Sequence, residues 1–313
     1  MTSWTASGYT NDNDLQQMLD LLLRLRPADW ISDYPSPDDL YEMMGLEDMP
    51  ANTRLWFSKD GQPIAFAVVD AYSNLLCEFD PTAPDALQDE LVAWGEERLR
   101  QMPPDDYHLP SLDAVCREED SHRVAFLEQH GFVRQDLRTL SFSRPLDEPI
   151  PEPVLPYGFR IRPFAGEREV EAWVGLHRAA FGTEHMTAEE RLLMMRAPSY
   201  NPDMDLVVEG PDGSLAAYCM CMIYPEENTR TGRKVGYTDP VATHPASQGR
   251  GLARALLFTG MRLLRQRGLD AAVLGTSSEN SAMQAAAQAA GYQLQYAKVW
   301  FSKSLEPADR EQA

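Results

Sequence analysis

The sequence predicts an α/β (α+β) fold present in two copies, and three observations carry that expectation. Short apolar runs with strand character alternate with longer segments of helical spacing along the whole chain. A stretch with five prolines, residues 145–157, separates two halves that run through the same series of elements. Short echoes recur at matching places in those halves.

The first half opens with a strand or a loose start over residues 1–10. Asp14 to Arg26 then spaces Leu15, Met18, Leu19, Leu22 and Leu25 as one helical stripe, with Asp14 as a cap and Pro27 as a stop. Ser36-Pro37-Asp38-Asp39 starts a second helix that Gly45 closes. Two apolar runs around Lys59-Asp60-Gly61 predict a hairpin. Leu75 to Phe79 reads as a strand, Pro84 to Met102 as a helix, Asp113 to Cys116 as a strand, Ser121 to His130 as a helix and Leu137 to Phe142 as a strand.

The proline-rich stretch reads as a stiff extended linker. It divides the chain into expected domains 1–144 and 158–313. The series then restarts: a strand at Phe159, a helix from Glu167 to Phe181, and a capping box at Thr187-Ala-Glu-Glu190 that opens another helix. A hairpin turns at Asp212-Gly213, and a strand is expected from Lys234 to Thr243. A helix over Gly251 to Gly268, a further strand, a final helix and a strand from Ala297 to Ser302 complete the half. Pro211-Asp212-Gly213 echoes Lys59-Asp60-Gly61, Gly291-Tyr292 echoes Gly131-Phe132, and Val299 to Leu305 echoes Leu140 to Leu146.

Charge and cysteine usage narrow the function. A net charge of −20 opposes binding to a phosphate backbone, so nucleic acid is excluded as a partner. The acidic surface either serves solubility alone or draws in a cationic substrate. No run of eighteen apolar residues exists, so no membrane span is expected, and the first residues lack the basic flank and apolar core of a secretory signal. Cys219 and Cys221 share one face of a strand and are badly placed to bridge each other; Cys77 and Cys116 are the other two cysteines. No Cys/His cluster has zinc spacing. The expectation is a reduced, cytoplasmic, metal-free protein, monomer or homodimer.

The chemistry centres on Val241 to Ala253. A strand leads into Gln248-Gly249-Arg250-Gly251-Leu252-Ala253, and a helix follows. Glycines between a strand and a helix leave room for the backbone to approach an anion at the helix N-terminus. The dinucleotide fingerprint fails because Arg254 stands where its third glycine belongs, and the Gly-Lys-Ser/Thr of a nucleotide-triphosphate loop is absent. The hexapeptide instead satisfies Gln/Arg-x-x-Gly-x-Gly/Ala at every fixed position. With Leu274 to Asn280 and Ala290-Gly291-Tyr292 downstream, this resembles the GNAT N-acetyltransferase superfamily in a tandem, mycothiol synthase-like arrangement.

That resemblance implies two GNAT-like domains, each a mixed, mostly antiparallel twisted sheet flanked by helices. It implies acyl-CoA, usually acetyl-CoA, as co-substrate and a small-molecule amine as acceptor. By position, Gln248, Gly249, Arg250, Gly251, Leu252 and Ala253 would hold the pyrophosphate. Val241, Ala242 and Thr243 would pair with the pantetheine arm, and Val241 N–H would face the oxyanion. Asn280 and Met283 would border the arm, although Asn280 also reads as a helix cap. The first half has Asp80, Asp85, Asp89 and Glu90 where the second has glycines, which implies a degenerate copy without the cofactor loop.

Two positions depart from the family pattern. Ala287 stands where many members have a tyrosine acid, with Tyr292 and Tyr296 as substitutes of unmatched spacing. Tyr237 stands where several members have a glutamate base, and Asp239, on the same face, is the candidate base or else a turn residue before Pro240. Glu226 and Glu227, in the polar loop Pro225 to Arg233, read as solvated residues, or else as acting through water or greeting a cationic amine. A CoA-binding sensor without turnover is the alternative function.

Overall fold

The computed structural model describes residues 4–102 and 111–305. The first half contains β1 (Trp4–Gly8), α1 (Asp12–Leu25), α2 (Pro37–Met44), β2 (Thr53–Ser58), β3 (Pro63–Val69), β4 (Leu75–Phe79), α3 (Asp85–Gln101), β5 (Ser111–Arg117), α4 (Ser121–Gln129) and β6 (Val133–Pro145). The second contains β7 (Arg160–Pro163), α5 (Val170–Phe181), α6 (Ala188–Met194), β8 (Asp205–Glu209), β9 (Leu215–Met220), α7 (Pro225–Thr231), β10 (Val235–Tyr237), β11 (Val241–Thr243), α8 (Leu252–Gln266), β12 (Ala271–Ser277), α9 (Ser281–Ala289) and β13 (Gln293–Ser304).

By contact the chain forms two units, Met1–Arg138 with Ala297–Ala313, and Thr139–Tyr296. This grouping differs from the boundaries expected from sequence at the last strand of each half. Residues 139–145 of β6 pair antiparallel with β12 in the second unit, while residues 298–304 of β13 pair antiparallel with β5 in the first. The stretch expected to be a stiff extended linker is partly packed into the second unit. Leu146 and Ile150 are buried in the second unit's core, and Leu146 N–H donates to Asp270 O at 2.8 Å.

In the first unit, β1 to β4 form an antiparallel sheet in sequence order. The alternation of β3 splits the core between its faces. Ala65, Ala67 and Val69 pack with Leu87 and Leu91 of α3, whereas Phe66 and Val68 pack with Met18 and Leu22 of α1. Helix α1 begins one turn earlier than Asp14 suggests: Asn11 caps it, and Asp14 closes the capping box.

The second unit repeats this plan. Strands β7, β8, β9 and β11 form an antiparallel sheet, ordered β11-β9-β8-β7. Leu206 and Val208 of β8 face α8, and Val207 faces α5. Thr187 and Glu190 form the expected capping box of α6. The repeat extends to turn detail: Asp120 and Asn280 cap α4 and α9, and Gly131 and Gly291 follow those helices at φ 81° and 85°.

Candidate functional site

The strand expected over Lys234 to Thr243 is broken in two. Val235 to Tyr237 pair in parallel with Ala271 to Val273 of β12, whereas Val241 to Thr243 pair antiparallel with Ala217 to Cys219 of β9. Thr238, Asp239 and Pro240 make the transition, with a cis Asp239–Pro240 bond. Pro240 has no N–H to offer a ladder, which suits a strand that changes partners. A wedge opens here: β11 is the edge of its sheet, and the pairing of β10 with β12 ends at Val273. Thr238 N–H still donates to Val273 O at 2.9 Å, and the Asp239 carboxylate accepts Gly275 N–H at 3.1 Å.

The glycine loop lies just beyond β11. Gly249 and Gly251 have φ of 72° and 78°, conformations that few residues with a side chain adopt. A Cβ at either would meet no atom within 4 Å, so the space above both is open. Gly251 is the N-cap of α8, which has no side-chain cap and no acidic residue in its first turn. Its leading amides are thus available to an anion, with the positive end of the helix dipole behind them. Gln248 and Arg250 are exposed, and the Gln248 amide reaches back to Thr243 O at 3.5 Å. The Arg250 guanidinium lies 5.7 Å from the Phe159 ring centroid. Leu252 is buried and Ala253 half-buried.

Helix α8 is seated tightly on the sheet. At Gly260 a Cβ would come within 2.7 Å of Cys221 Sγ and 3.3 Å of a Thr238 methyl, and at Gly236 it would run into Leu264. Gly236 and Thr238 therefore face α8. The alternation of the strand turns Tyr237 to the opposite face. There the Tyr237 hydroxyl donates to Glu227 Oε2 at 2.7 Å, and its ring meets Tyr224 edge-on at 5.0 Å. Glu227 is only 2% exposed, so it is not the solvated loop residue expected, because Pro225 to Thr231 fold into a helix.

Asn280 caps α9, accepting Met283 N–H at 3.0 Å, and Met283 packs against the core beneath α8. Ala287 is fully buried. Tyr292 is buried as well, its hydroxyl 2.6 Å from Thr238 Oγ1, and burial pushes its pKa well above the ordinary value. It is thereby removed as a substitute acid on the open face. On the α5 side, His177 Nδ1 lies 2.8 Å from the Tyr218 hydroxyl, and its ring stacks on Trp173. Burial, then the charge of Arg191, lowers the His177 pKa to about 4. Arg191 is itself buried, paired with Asp205 and lying over the Trp173 ring at 4.3 Å.

The matching place in the first unit looks different. Helix α3 follows Pro84 and carries Asp85 in its first turn. Between β4, β5 and α4 lies a cavity of about 250 Å³ whose buried Glu78 is held by Arg26 at 2.5 Å and Arg123 at 3.2 Å. Among the described residues, no group of three or more His, Cys, Asp or Glu could hold a metal ion, and no helix is long and apolar enough to cross a membrane.

Known proteins resemble this chain in sequence and in fold. The profile of the acetyltransferase (GNAT) family matches residues 170–292. A mycothiol acetyltransferase from Thermobispora bispora is 32% identical over 157 residues, 49% of this chain and 52% of that protein. One from Nocardiopsis dassonvillei is 26% identical over 239 residues, 72% of this chain and 68% of that protein. For the first of these, as for the Frankia alni relative at 53%, the match spans about half the relative's length. Among solved structures, a GCN5-related N-acetyltransferase from Sphaerobacter thermophilus has a TM-score of 0.64 at 22% identity, covering 99% of this chain and 98% of its own. A tandem GNAT protein from the clavulanic acid biosynthesis pathway has a TM-score of 0.66 at 17% identity, covering 98% and 99%. Residues 170–292 of the second unit thus match the acetyltransferase (GNAT) family, and the fold of the chain is similar to that of tandem GNAT proteins.

Proposed function

We propose that the second unit binds acetyl-CoA in the wedge beside β11 and transfers the acetyl group to a small-molecule amine. The observation that carries this reading is the loop of Gln248 to Ala253: two left-handed glycines with open space above them, leading into an uncapped fifteen-residue helix. A diphosphate fits that cradle because it accepts several amide hydrogens at once. That the relatives are named acetyltransferases supports acetyl as the acyl group.

The chain's own residues divide the work. The free edge of β11, Val241 to Thr243, offers backbone groups to the amide-bearing arm, and Val241 N–H is the donor for the oxyanion. Asn280 and Met283 border the same arm. Asp239 and Tyr237 are the candidates for taking the proton from the incoming ammonium. The amine nitrogen then bonds to the thioester carbon, the C–S bond breaks, and CoA leaves as thiolate, which takes up the second proton that the nitrogen sheds on becoming an amide. A thiolate needs little help from an acid, since ordinary thiols have a pKa of about 8.5; Ala287 therefore does not forbid turnover. The first unit has lost this site, because acids replace glycines at its loop. The chain's four free thiols fit a reducing compartment such as the cytoplasm.

One observation favours a second reading, a CoA-binding sensor without turnover: the position of the family's tyrosine acid is a fully buried alanine, Ala287. Thiol release from acetyl-CoA across a panel of small primary amines separates the two. Release with some amine supports transfer. Tight acetyl-CoA binding without release from any amine supports the sensor.

A further inference from the structure

We propose that Tyr237 takes the proton from the acceptor ammonium and passes its own hydroxyl proton to Glu227 of α7. This rests on the acetyl-transfer reading above.

Three observations place the pair. Tyr237 lies on the sheet face away from α8, because its neighbours Gly236 and Thr238 pack on that helix. Its hydroxyl already donates to Glu227 Oε2 at 2.7 Å, and a phenolic oxygen that donates in one direction can accept an N–H from another. Glu227 is held there by its helix. The Asn228 side chain donates to Val235 O at 2.8 Å and accepts Val235 N–H at 2.9 Å, pinning α7 to β10 one residue from the carboxylate. A glutamate with only a solubilising role would not be 2% exposed and aimed at a tyrosine.

The step balances. One ammonium proton moves to Tyr237 Oη, the tyrosine proton moves to Glu227 Oε2, and the amine lone pair is freed for the thioester carbon. Tyr237 is neutral before and after, and Glu227 ends protonated. Tyr237 is the catalytic residue and Glu227 the positioning and proton-accepting one. The Tyr224 ring meets that of Tyr237 edge-on, and Glu226, Arg230 and Arg233, which neighbour Glu227 in sequence, are exposed.

The test is the pH–rate profile of thiol release from acetyl-CoA, with an amine the wild type accepts, for Glu227→Gln, Tyr237→Phe and the double variant. Without the relay the rate follows the fraction of free amine. Each single variant should lose about 10²- to 10³-fold in kcat near neutral pH. Each should then recover about tenfold per pH unit up to the pKa of the amine. The double variant should be no slower than either single one, because the two act as a unit. Acetyl-CoA affinity, measured by calorimetry, should be unchanged. A loss equal at every pH, or a Glu227→Gln profile like that of the wild type, overturns the relay. Should Glu227→Gln fail to fold, Tyr237→Phe tests the same step by the same profile. If the wild type releases no thiol with any amine, it is the transfer reading that fails, and the relay with it.

Discussion

Asp239 and Gly275 are hydrogen-bonded across the mouth of the wedge: the aspartate carboxylate accepts the glycine N–H at 3.1 Å just where β10 ends and β11 departs. The bond ties two strands that no longer share a ladder. It gives the aspartate a contact with β12 beyond its place before Pro240.

Asp239→Ala is predicted to lower stability by about 1.5–3 kcal/mol, the usual cost of a lost hydrogen bond to a charged group. It should also weaken acetyl-CoA binding, since the wedge is no longer fixed. Asp239→Asn retains an acceptor oxygen and should lose less in both. Urea unfolding and calorimetry read the two effects; an alanine variant as stable as the wild type would exclude the pin.

His177 makes stability depend on pH. Its folded pKa of about 4 lies below the ordinary 6.5, owing to burial and then to Arg191. The unfolded chain therefore binds the proton first, and the contribution of His177 is intact above pH 6.5 and is lost as the pH falls from there toward 4. Replacing it by phenylalanine should flatten the stability profile within that window while leaving it unaltered above. An unchanged slope would show that other groups govern the acid limb.

The exchange of last strands predicts how fragments behave. A fragment of residues 158–313 deprives β12 of its antiparallel partner and strips Phe142, Leu146 and Ile150 from the core. It should unfold without cooperativity, while a fragment starting at residue 139 should show a sharp transition. Near-ultraviolet circular dichroism against urea distinguishes them, and a cooperative 158–313 fragment would contradict the assignment of residues 139–145.

Much of this was legible in the sequence. The glycine hexapeptide, the Thr187 capping box and the doubled series depend on local spacing, and local spacing is what a sequence displays. What escaped depends on neighbours far along the chain. Glu227 looks solvated beside Glu226 and Arg230, and its burial in α7 against Tyr237 shows that it is not. Lys234 to Thr243 looks like one strand because both pieces are apolar; the change of partner is set by β9 and β12. Leu146 and Ile150 sit among prolines, and their burial comes from a core built by α8 and β12. A helix opened by Pro225 and bearing Asn228 was the one available hint of the seat for Glu227.

The central claim, that the amides around Gly249 and Gly251 grip the diphosphate of acetyl-CoA, is tested most directly by calorimetric titration of acetyl-CoA into the wild type and into Gly251→Glu. A side chain at φ 78° costs about 1–3 kcal/mol, and a carboxylate facing a diphosphate adds a similar penalty. The variant should lose about 100-fold or more in affinity while keeping a cooperative urea transition. Undiminished affinity in Gly251→Glu would place the diphosphate elsewhere and contradict the account.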